Sequence, residues 1–262
     1  APGSSNVVAG AVAAVRPAAT TPLVNPAIAE KLVLSEASRS VERSPATLSS
    51  QVDLLNRALA GTPPPTNFYL PEPLKARFEA RRLEDLQAVK KGERPALIEA
   101  RQPAEVARAL ELVARHKLAT PTLIGPVELT PFLDDLKAAQ ARVVVSSSAL
   151  LRDDRGRLTR EVVAAGTAGI PLALADDGEP GQARIAAALL VNAGLPSRLA
   201  LQALTHRAAE AVALPPTCGR LAVGAAADLV VWNGHPLDLR AGLAALVIEG
   251  RLQTMPSPKS DQ

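Results

Sequence analysis

Histidine and cysteine, the side chains that most often bind zinc or act as nucleophiles, are scarce in this chain of 262 residues. The histidines are His116, His206 and His235, and Cys218 is the single cysteine. His116 falls at the end of a predicted helix, where a positive charge complements the helix dipole, and His235 falls in a turn. A catalytic zinc usually needs three protein ligands, rich in histidine. These residue types and their spacing therefore predict no zinc site built from histidines.

Serine offers another route to nucleophilic chemistry. Ser146, Ser147 and Ser148 follow an apolar segment, but the sequence places no base beside them and no glycine flanks them as in a nucleophile elbow. We expect these serines to lie in a surface loop. Cys218 has no matched histidine, so we expect an unreactive thiol. Residues 166–169 lack the lysine of a phosphate-binding loop and precede a predicted strand instead of a helix.

The composition limits the partners of this chain. Hydrophobic residues make up 47% and charged residues 21%, which is typical of a globular chain. Aromatic residues make up only 2%, and the net charge of +3 is spread without a basic run, so we expect no nucleic-acid partner. No apolar segment reaches the roughly 20 residues of a membrane span. The single cysteine leaves the compartment open, cytoplasmic or periplasmic and secreted.

The elements that must position any site alternate regularly after the first third of the chain. Residues 74–91 have helical spacing of apolar side chains and end at a glycine. Short apolar segments then alternate with amphipathic helices, and the predicted strands are 95–98, 122–124, 142–145 and 170–175. Continuous apolar strands separated by helices indicate parallel strands that are buried on both faces. The sequence therefore predicts an α/β fold that resembles a barrel.

The last part of the chain follows a different pattern. Residues 227–232 and 246–248 are short predicted strands with turn residues and no helix between them, so we expect a separate antiparallel layer. Two short strands alone are marginal in water, and we expect 227–232 to pair also with strands outside this chain. The predicted division is a partial barrel at 1–215 and C-terminal sandwich strands at 216–262.

Residues 199–251 contain a predicted helix, a predicted strand preceded by turns with glycines, and a final strand that ends in a Gly-Arg turn. This segment resembles the C-terminal part of the metal-dependent amidohydrolase superfamily, and the matching residues are Gly219, Gly224, Ala227, Asp228, Gly250 and Arg251. Residues 2–10, 44–58 and 83–100 resemble segments of its imidazolonepropionase-like branch. The matched glycines and Asp228 suit turns, so they indicate the fold and not the chemistry.

The resemblance implies a (β/α)8 barrel with a small β-sandwich and a metal site at the strand tips. Glu36 stands where the family has a bridging acid, and Glu99 stands where it has a histidine ligand. Asp176 stands where the family has the catalytic aspartate of the last barrel strand, whereas Gly125 stands in place of a further histidine. The resemblance thus implies Asp176 as the catalytic residue and Glu36 and Glu99 as candidate ligands, in an all-carboxylate set suited to a hard cation.

Two functions follow from this comparison with the family. The first is a noncatalytic amidohydrolase-like subunit, a pseudoenzyme without a cofactor, that serves an assembly or supports an active homologue. The alternative is a metal-dependent hydrolase of C–N bonds in cyclic amides or dipeptide-like substrates, with zinc as the metal and Asp176 as general base. The missing histidines favour the first.

The resemblance also concerns what completes the fold. In the family, sandwich strands, the first barrel strand and a His-x-His pair precede the loop that residues 2–10 resemble. A full barrel takes about 250 residues, so we expect an incomplete barrel here. We expect an N-terminal fragment of the same precursor or a homologous subunit to complete it in an oligomer, with Ala1 following a processed or separately supplied segment.

The predicted site can be stated as a geometry. Because barrel sites gather at the carboxyl ends of the strands, Asp176 should lie there near Glu36 and Glu99. Clustered carboxylates repel one another without a cation, so at least one should hold its proton more tightly or have a basic partner. Arg101 is the nearest such partner in the sequence.

Overall fold

The larger sheet holds six strands in the order in which they occur along the chain. The computed structural model describes residues 3–16, 22–41, 44–64 and 71–253. The strands are β1 (Val8–Val15), β2 (Leu23–Val33), β3 (Ala96–Glu99), β4 (Thr122–Ile124), β5 (Arg142–Ser146) and β6 (Leu172–Ala175). β1 is antiparallel to β2, and β2 to β6 are parallel. The predicted α/β architecture is confirmed, and within the described residues the sheet stays open, with β1 and β6 at its edges.

One or more helices follow each of the parallel strands β2 to β6. They are α1 (Leu48–Leu59), α2 (Glu72–Lys90), α3 (Pro103–His116), α4 (Leu133–Ala138), α5 (Ser147–Leu151), α6 (Arg157–Thr167), α7 (Gln182–Asn192), α8 (Ser197–Leu204) and α9 (His206–Ala211). α3 shows why such segments start where they do, because Pro103 suits the first helical position and Glu105 accepts from the backbone N–H of Gln102 at 3.0 Å. None of the described helices is long and apolar enough to cross a membrane.

The predicted strands after residue 94 are confirmed, but β1 and β2 have no counterpart among the sequence predictions. β1 is rich in alanine, and β2 contains Pro26, a residue that argues against a strand when sequence alone is considered. Pro26 lies in the exposed first half of β2, where the strand pairs only with β1. The two strands form because β2 buries its second half, residues 28–33, against β3.

Neighbouring residues of β2 point to opposite sides of the sheet. Leu32 is paired with Ile98 of β3, and both belong to the main core together with Leu86 of α2. We call this side the helix face. Lys31 is paired with Leu97, and we call the side that carries Lys31 and Leu97 the inner face.

The second sheet is small and antiparallel, as predicted. It consists of β7 (Leu229–Trp232), β8 (Leu243–Ile248) and β9 (Arg251–Leu252), in that order. Arg184 of α7 attaches this region, because its guanidinium lies 4.1 Å from the centroid of the Trp232 ring and donates to the carbonyls of Pro236, Asp238 and Ala241. The strand that adds to β7 and β8 is β9 of the same chain. Pairing of β7 with strands outside this chain stays a prediction.

Candidate active site

The predicted site residues lie at one edge of the parallel sheet. Glu99 is the last residue of β3, and Asp176 directly follows β6. Glu36 lies three residues beyond the end of β2 in a short 3-10 turn, Glu36–Ser38. The carboxyl ends of parallel strands meet at the same edge of a sheet, which is where barrel enzymes carry their sites. β3 and β6 are separated by β4 and β5 in the strand order.

Glu99 is the most enclosed of these carboxylates. Its side chain lies on the inner face with Lys31, and the two residues are 2% and 7% exposed. The Lys31 ammonium lies 2.9 Å from Oε2 of Glu99, and the Ser4 hydroxyl donates to the same oxygen at 2.5 Å. Ser35 donates to Oε1 at 2.9 Å. Arg101, the predicted basic partner, also reaches Oε1, at 3.2 Å from Nη2, so that prediction is confirmed for Glu99.

These contacts determine the charge of Glu99. Burial by itself favours the protonated acid and raises the pKa, but hydrogen bonds from Ser4, Lys31 and Ser35 outweigh it and hold the pKa below its usual value. Both oxygens of the carboxylate therefore have partners, and the anion is balanced by a neighbouring ammonium. The cluster of Ser4, Lys31, Ser35, Glu99 and Arg101 is called the Glu99 cluster below.

The two aspartates after β6 are bound to the starts of helices. Asp176 is exposed and accepts from the backbone N–H groups of Gly181 at 2.9 Å and Ala183 at 3.2 Å, at the beginning of α7. Asp177 accepts from the backbone N–H of Ser148 at 3.1 Å. Burial raises the pKa of Asp177, but hydrogen bonds from Ser146 and Ser148 outweigh it and lower the pKa.

The serine segment does not lie in a surface loop, and that prediction was wrong. Ser146 ends β5, and its hydroxyl accepts from the backbone N–H of Ala149 at 2.9 Å as the N-cap of α5. Ser147 and Ser148 are buried in the first turn of that helix. Serine is a favoured N-cap residue because its oxygen satisfies a free N–H group, and this capping draws the segment into the fold.

The three histidines lie outside the strands of the larger sheet. His116 is the last residue of α3, as predicted, and its Nε2 lies 2.8 Å from Oδ1 of Asn56. Burial, followed by the charges of Lys90 and Arg115, lowers the pKa of His116, so the neutral ring is favoured over the expected cation. His235 lies in a turn, where its Nδ1 accepts from the Leu237 N–H at 3.2 Å.

The described donors do not fit the metal site that the family resemblance implies. Within residues 3–16, 22–41, 44–64 and 71–253, no three His, Cys, Asp or Glu side chains form a group that could hold a metal ion. β4 ends at Ile124 and is followed by Gly125, and neither residue offers a donor side chain. Glu36 is exposed, and Glu99 is already bound to an ammonium. The roles of Glu36, Glu99 and Asp176 as ligands and catalytic base stay predictions.

Sequence reasoning missed Lys31, Ser4 and Ser35. A signal for Lys31 exists, because it lies in the apolar second half of β2, and a buried charge requires a partner. That signal is visible only once β2 is recognised as a strand. Ser4 gives no such signal, since it lies 95 positions from Glu99.

A largely parallel open sheet with polar side chains at its carboxyl edge, together with a small separate antiparallel sheet, is the architecture of a partial α/β barrel with a small β-sheet region. Residues 90–255 match the amidohydrolase family, and the chain belongs to that family. This confirms the superfamily to which the C-terminal motif pointed.

Individual relatives match smaller parts of the chain. It is 36% identical over 92 residues to an imidazolonepropionase of Chromobacterium violaceum and 34% identical over 90 residues to one of Psychromonas ingrahamii. Each match covers 32% of this chain and 22% of the relative, so the matched segment spans about a fifth of the relatives' length.

Solved structures support the same fold. An amidohydrolase from Thermotoga maritima MSB8 superposes with a TM-score of 0.80 at 20% identity, covering 98% of this chain and 71% of that chain. A second amidohydrolase crystal structure superposes with a TM-score of 0.51 at 18% identity, covering 84% of this chain and 65% of the other. At these identities the likeness concerns the fold.

Proposed function

We propose that this chain is a noncatalytic member of the amidohydrolase family that serves an assembly or supports an active homologue. The observation that carries the proposal is the buried ion pair between Lys31 and Glu99, with an ammonium 2.9 Å from the carboxylate. Positive charge at this strand end is supplied by the protein itself. Family membership and fold agree with the proposal, since both are kept when catalytic ligands are replaced.

A metal ion that bound Oε2 of Glu99 would have to displace Lys31. The displaced ammonium would remain buried without its partner, and breaking a buried ion pair in this way costs about 3 to 5 kcal/mol. Ser4 and Ser35 oppose the displacement further, because they donate to the two oxygens that a metal would use. Metal binding at Glu99 therefore competes with these contacts.

We also propose that another polypeptide covers the open parts of the fold. Unpaired strand edges and exposed apolar faces favour association, and β1 and β6 are the edges of the larger sheet in the described residues. The small sheet exposes Val230 and Leu252 at 53% and 71%. An N-terminal fragment of the same precursor or a homologous subunit would suit these surfaces. The division at 1–215 and 216–262 is part of this proposal.

The alternative is a zinc-dependent hydrolase of cyclic amides or dipeptide-like C–N bonds. Two observations favour it: the relatives are named imidazolonepropionases, and Asp176 is exposed at the end of β6. In this alternative Asp176 acts as general base, Glu36 and Glu99 bind the metal, and histidines come from another chain or segment.

Zinc content separates the two functions. The full chain, purified with whatever copurifies from zinc-supplemented culture and then dialysed, should hold far less than one zinc per chain by plasma mass spectrometry. Asp176→Asn should have the same free energy of unfolding and the same assembly as Asp154→Asn, a control substitution at an exposed aspartate in a turn. One retained zinc per chain, with hydrolysis of a cyclic amide lost in Asp176→Asn and kept in Asp154→Asn, would establish the hydrolase instead.

A further inference from the structure

A second buried carboxylate lies next to Lys31 but on the other face of the sheet. Glu30 of β2 is 1% exposed, and its Oε2 has no hydrogen-bond partner among the described residues. A buried carboxylate oxygen without a partner is costly, and more so when the group is ionised. The Glu99 cluster does not use this residue.

The backbone holds Glu30 in this position. Glu30 is paired with Ala11 of β1 on one side and Ala96 of β3 on the other, and its N–H donates to the carbonyl of Pro95 at 3.1 Å. Moving its side chain to the inner face would require β2 to shift its register by one residue. All side chains of the strand would then change face. Glu30 therefore faces α2, which lies against β2.

The charges that act on Glu30 come from α2 and from the turn after it. They are one carboxylate, Asp85, and three guanidinium groups, Arg81, Arg82 and Arg94. Asp85 already binds Arg94 at 2.7 Å and Arg81 at 3.5 Å. Arg81 and Arg94 are thus shared between two carboxylates.

The strands beside β2 add no balancing charge to that of these arginines. Arg82 donates to the carbonyl of Val8 in β1 at 3.2 Å, and β1 itself carries no charged residue. On β3, the charged Glu99 faces the opposite side of the sheet with Lys31. Ionised Glu30 gains further stabilisation if water enters between α2 and β2, if an arginine leaves Asp85, or if Arg82 leaves the Val8 carbonyl.

We propose that the contact between α2 and β2 is proton-sensitive: α2 packs closely while Glu30 is protonated and loosens when Glu30 is ionised. Burial, followed by repulsion from Asp85, raises the pKa of Glu30 to about 7, although Arg94, Arg82 and Arg81 act in the opposite direction. The proton is exchanged with solvent, and the change falls near neutral pH. This property is independent of the proposed noncatalytic function.

Hydrogen–deuterium exchange of the full chain tests the proposal. Protection factors, corrected for intrinsic exchange, are measured at about pH 5.5 and about pH 8.5, on the two sides of the expected transition. Protection of α2 should fall at least roughly tenfold relative to α7. Glu30→Gln should remove this fall, and Glu84→Gln, an exposed position on α2, should keep it. Equal protection of wild-type α2 at both values, or a fall that persists in Glu30→Gln, would overturn the proposal.

A titration of the wild-type protein supplies a readout that does not depend on folding of the Glu30→Gln variant. With carbon-13 labelled glutamate, one side-chain carboxyl signal should titrate near pH 7, well above the ordinary range of glutamate. If no glutamate side-chain carboxyl group titrates with a midpoint above about pH 6, the proposal is contradicted.

Discussion

Glu99 and Glu30 are two buried carboxylates on opposite faces of one sheet, and the fold treats them in opposite ways. Glu99 accepts from Ser4, Ser35 and Lys31, so its pKa is lowered despite burial. Glu30 has an oxygen without a partner in the described structure, and its pKa is raised to about 7. Burial is common to both residues. The difference shows that partner geometry, and not burial alone, determines which form of a buried acid is stable.

The cation that separates the two cases is a direct neighbour of Glu30 in the chain. Lys31 follows Glu30, yet it binds Glu99 across the strand pair. In a strand, residues i and i+1 point to opposite faces, whereas residues on adjacent strands share a face. Sequence proximity therefore keeps Lys31 away from Glu30 and leaves that acid to the arginines of α2 and its following turn.

The largest expected effect comes from removing the ammonium that balances the charge of Glu99. Lys31→Met leaves Glu99 buried without its ammonium, and we expect a loss of about 3 to 5 kcal/mol in the free energy of unfolding. Chemical denaturation near neutral pH measures it. The double variant Lys31→Met/Glu99→Leu should recover most of the loss, because replacing both members with apolar groups is often close to neutral. A single-variant loss below about 1 kcal/mol would mean that the pair contributes little.

Glu30→Gln should act with the opposite sign. The folded-state pKa of Glu30 is raised from 4.5 to about 7. The stabilisation that protonated Glu30 contributes is therefore fully present below about pH 4.5 and is lost as the pH rises through about 7. The rise corresponds to at most about 3.4 kcal/mol, and the buried amide offsets part of it. We expect Glu30→Gln to stabilise the protein by about 1 to 2 kcal/mol at pH 8, measured by denaturant unfolding. A variant less stable than wild type at pH 8 contradicts this.

Glu99→Gln gives the reverse pH dependence at the Glu99 cluster. Its lowered pKa means that ionised Glu99 stabilises the fold above about pH 4.5, and this contribution is lost as the pH falls through the lowered pKa. The stability difference between wild type and Glu99→Gln should therefore shrink as the pH drops below about 4.5. A difference that grows on acidification would reverse the assignment.

Asp85→Asn tests the cause of the Glu30 shift with a smaller effect. The substitution removes the carboxylate that repels Glu30 and releases Arg94, which binds Asp85 at 2.7 Å. We expect the midpoint of Glu30 to fall by about one pH unit, equivalent to about 1.4 kcal/mol, in the carbon-13 titration. Asp53→Asn, at an exposed acid on α1, is the matched control. An unchanged midpoint would leave burial as the only cause.

The smallest effect is expected at the rim of the Glu99 cluster. Arg101 lies 3.2 Å from Glu99, but its side chain is 59% exposed. Exposed ion pairs contribute about 0 to 1 kcal/mol, so Arg101→Gln should lower the free energy of unfolding by less than about 1 kcal/mol. A loss comparable to that of Lys31→Met would place the arginine, and not the lysine, at the centre of the cluster.

By itself, the sequence determined the features that depend on local pattern. The strands after residue 94 are short continuous apolar segments between amphipathic helices, and β4 occupies Thr122–Ile124 as predicted. The glycines around β7 and the final turn at Gly250 identified the family, because turns with positive φ need particular residues at particular spacings. The position of Asp176 directly after the last parallel strand also followed from the resemblance to the family.

Only the tertiary structure decided which charges meet. β1 and β2 lack a clear strand signal because alanine and Pro26 weaken it, and they form through pairing with β3. Their register then sends Lys31 to Glu99 and Glu30 to α2, while Ser4 reaches Glu99 across 95 positions. Such contacts depend on strand order, register and face, which are properties of the assembled sheet and leave no trace in the periodicity of any one segment.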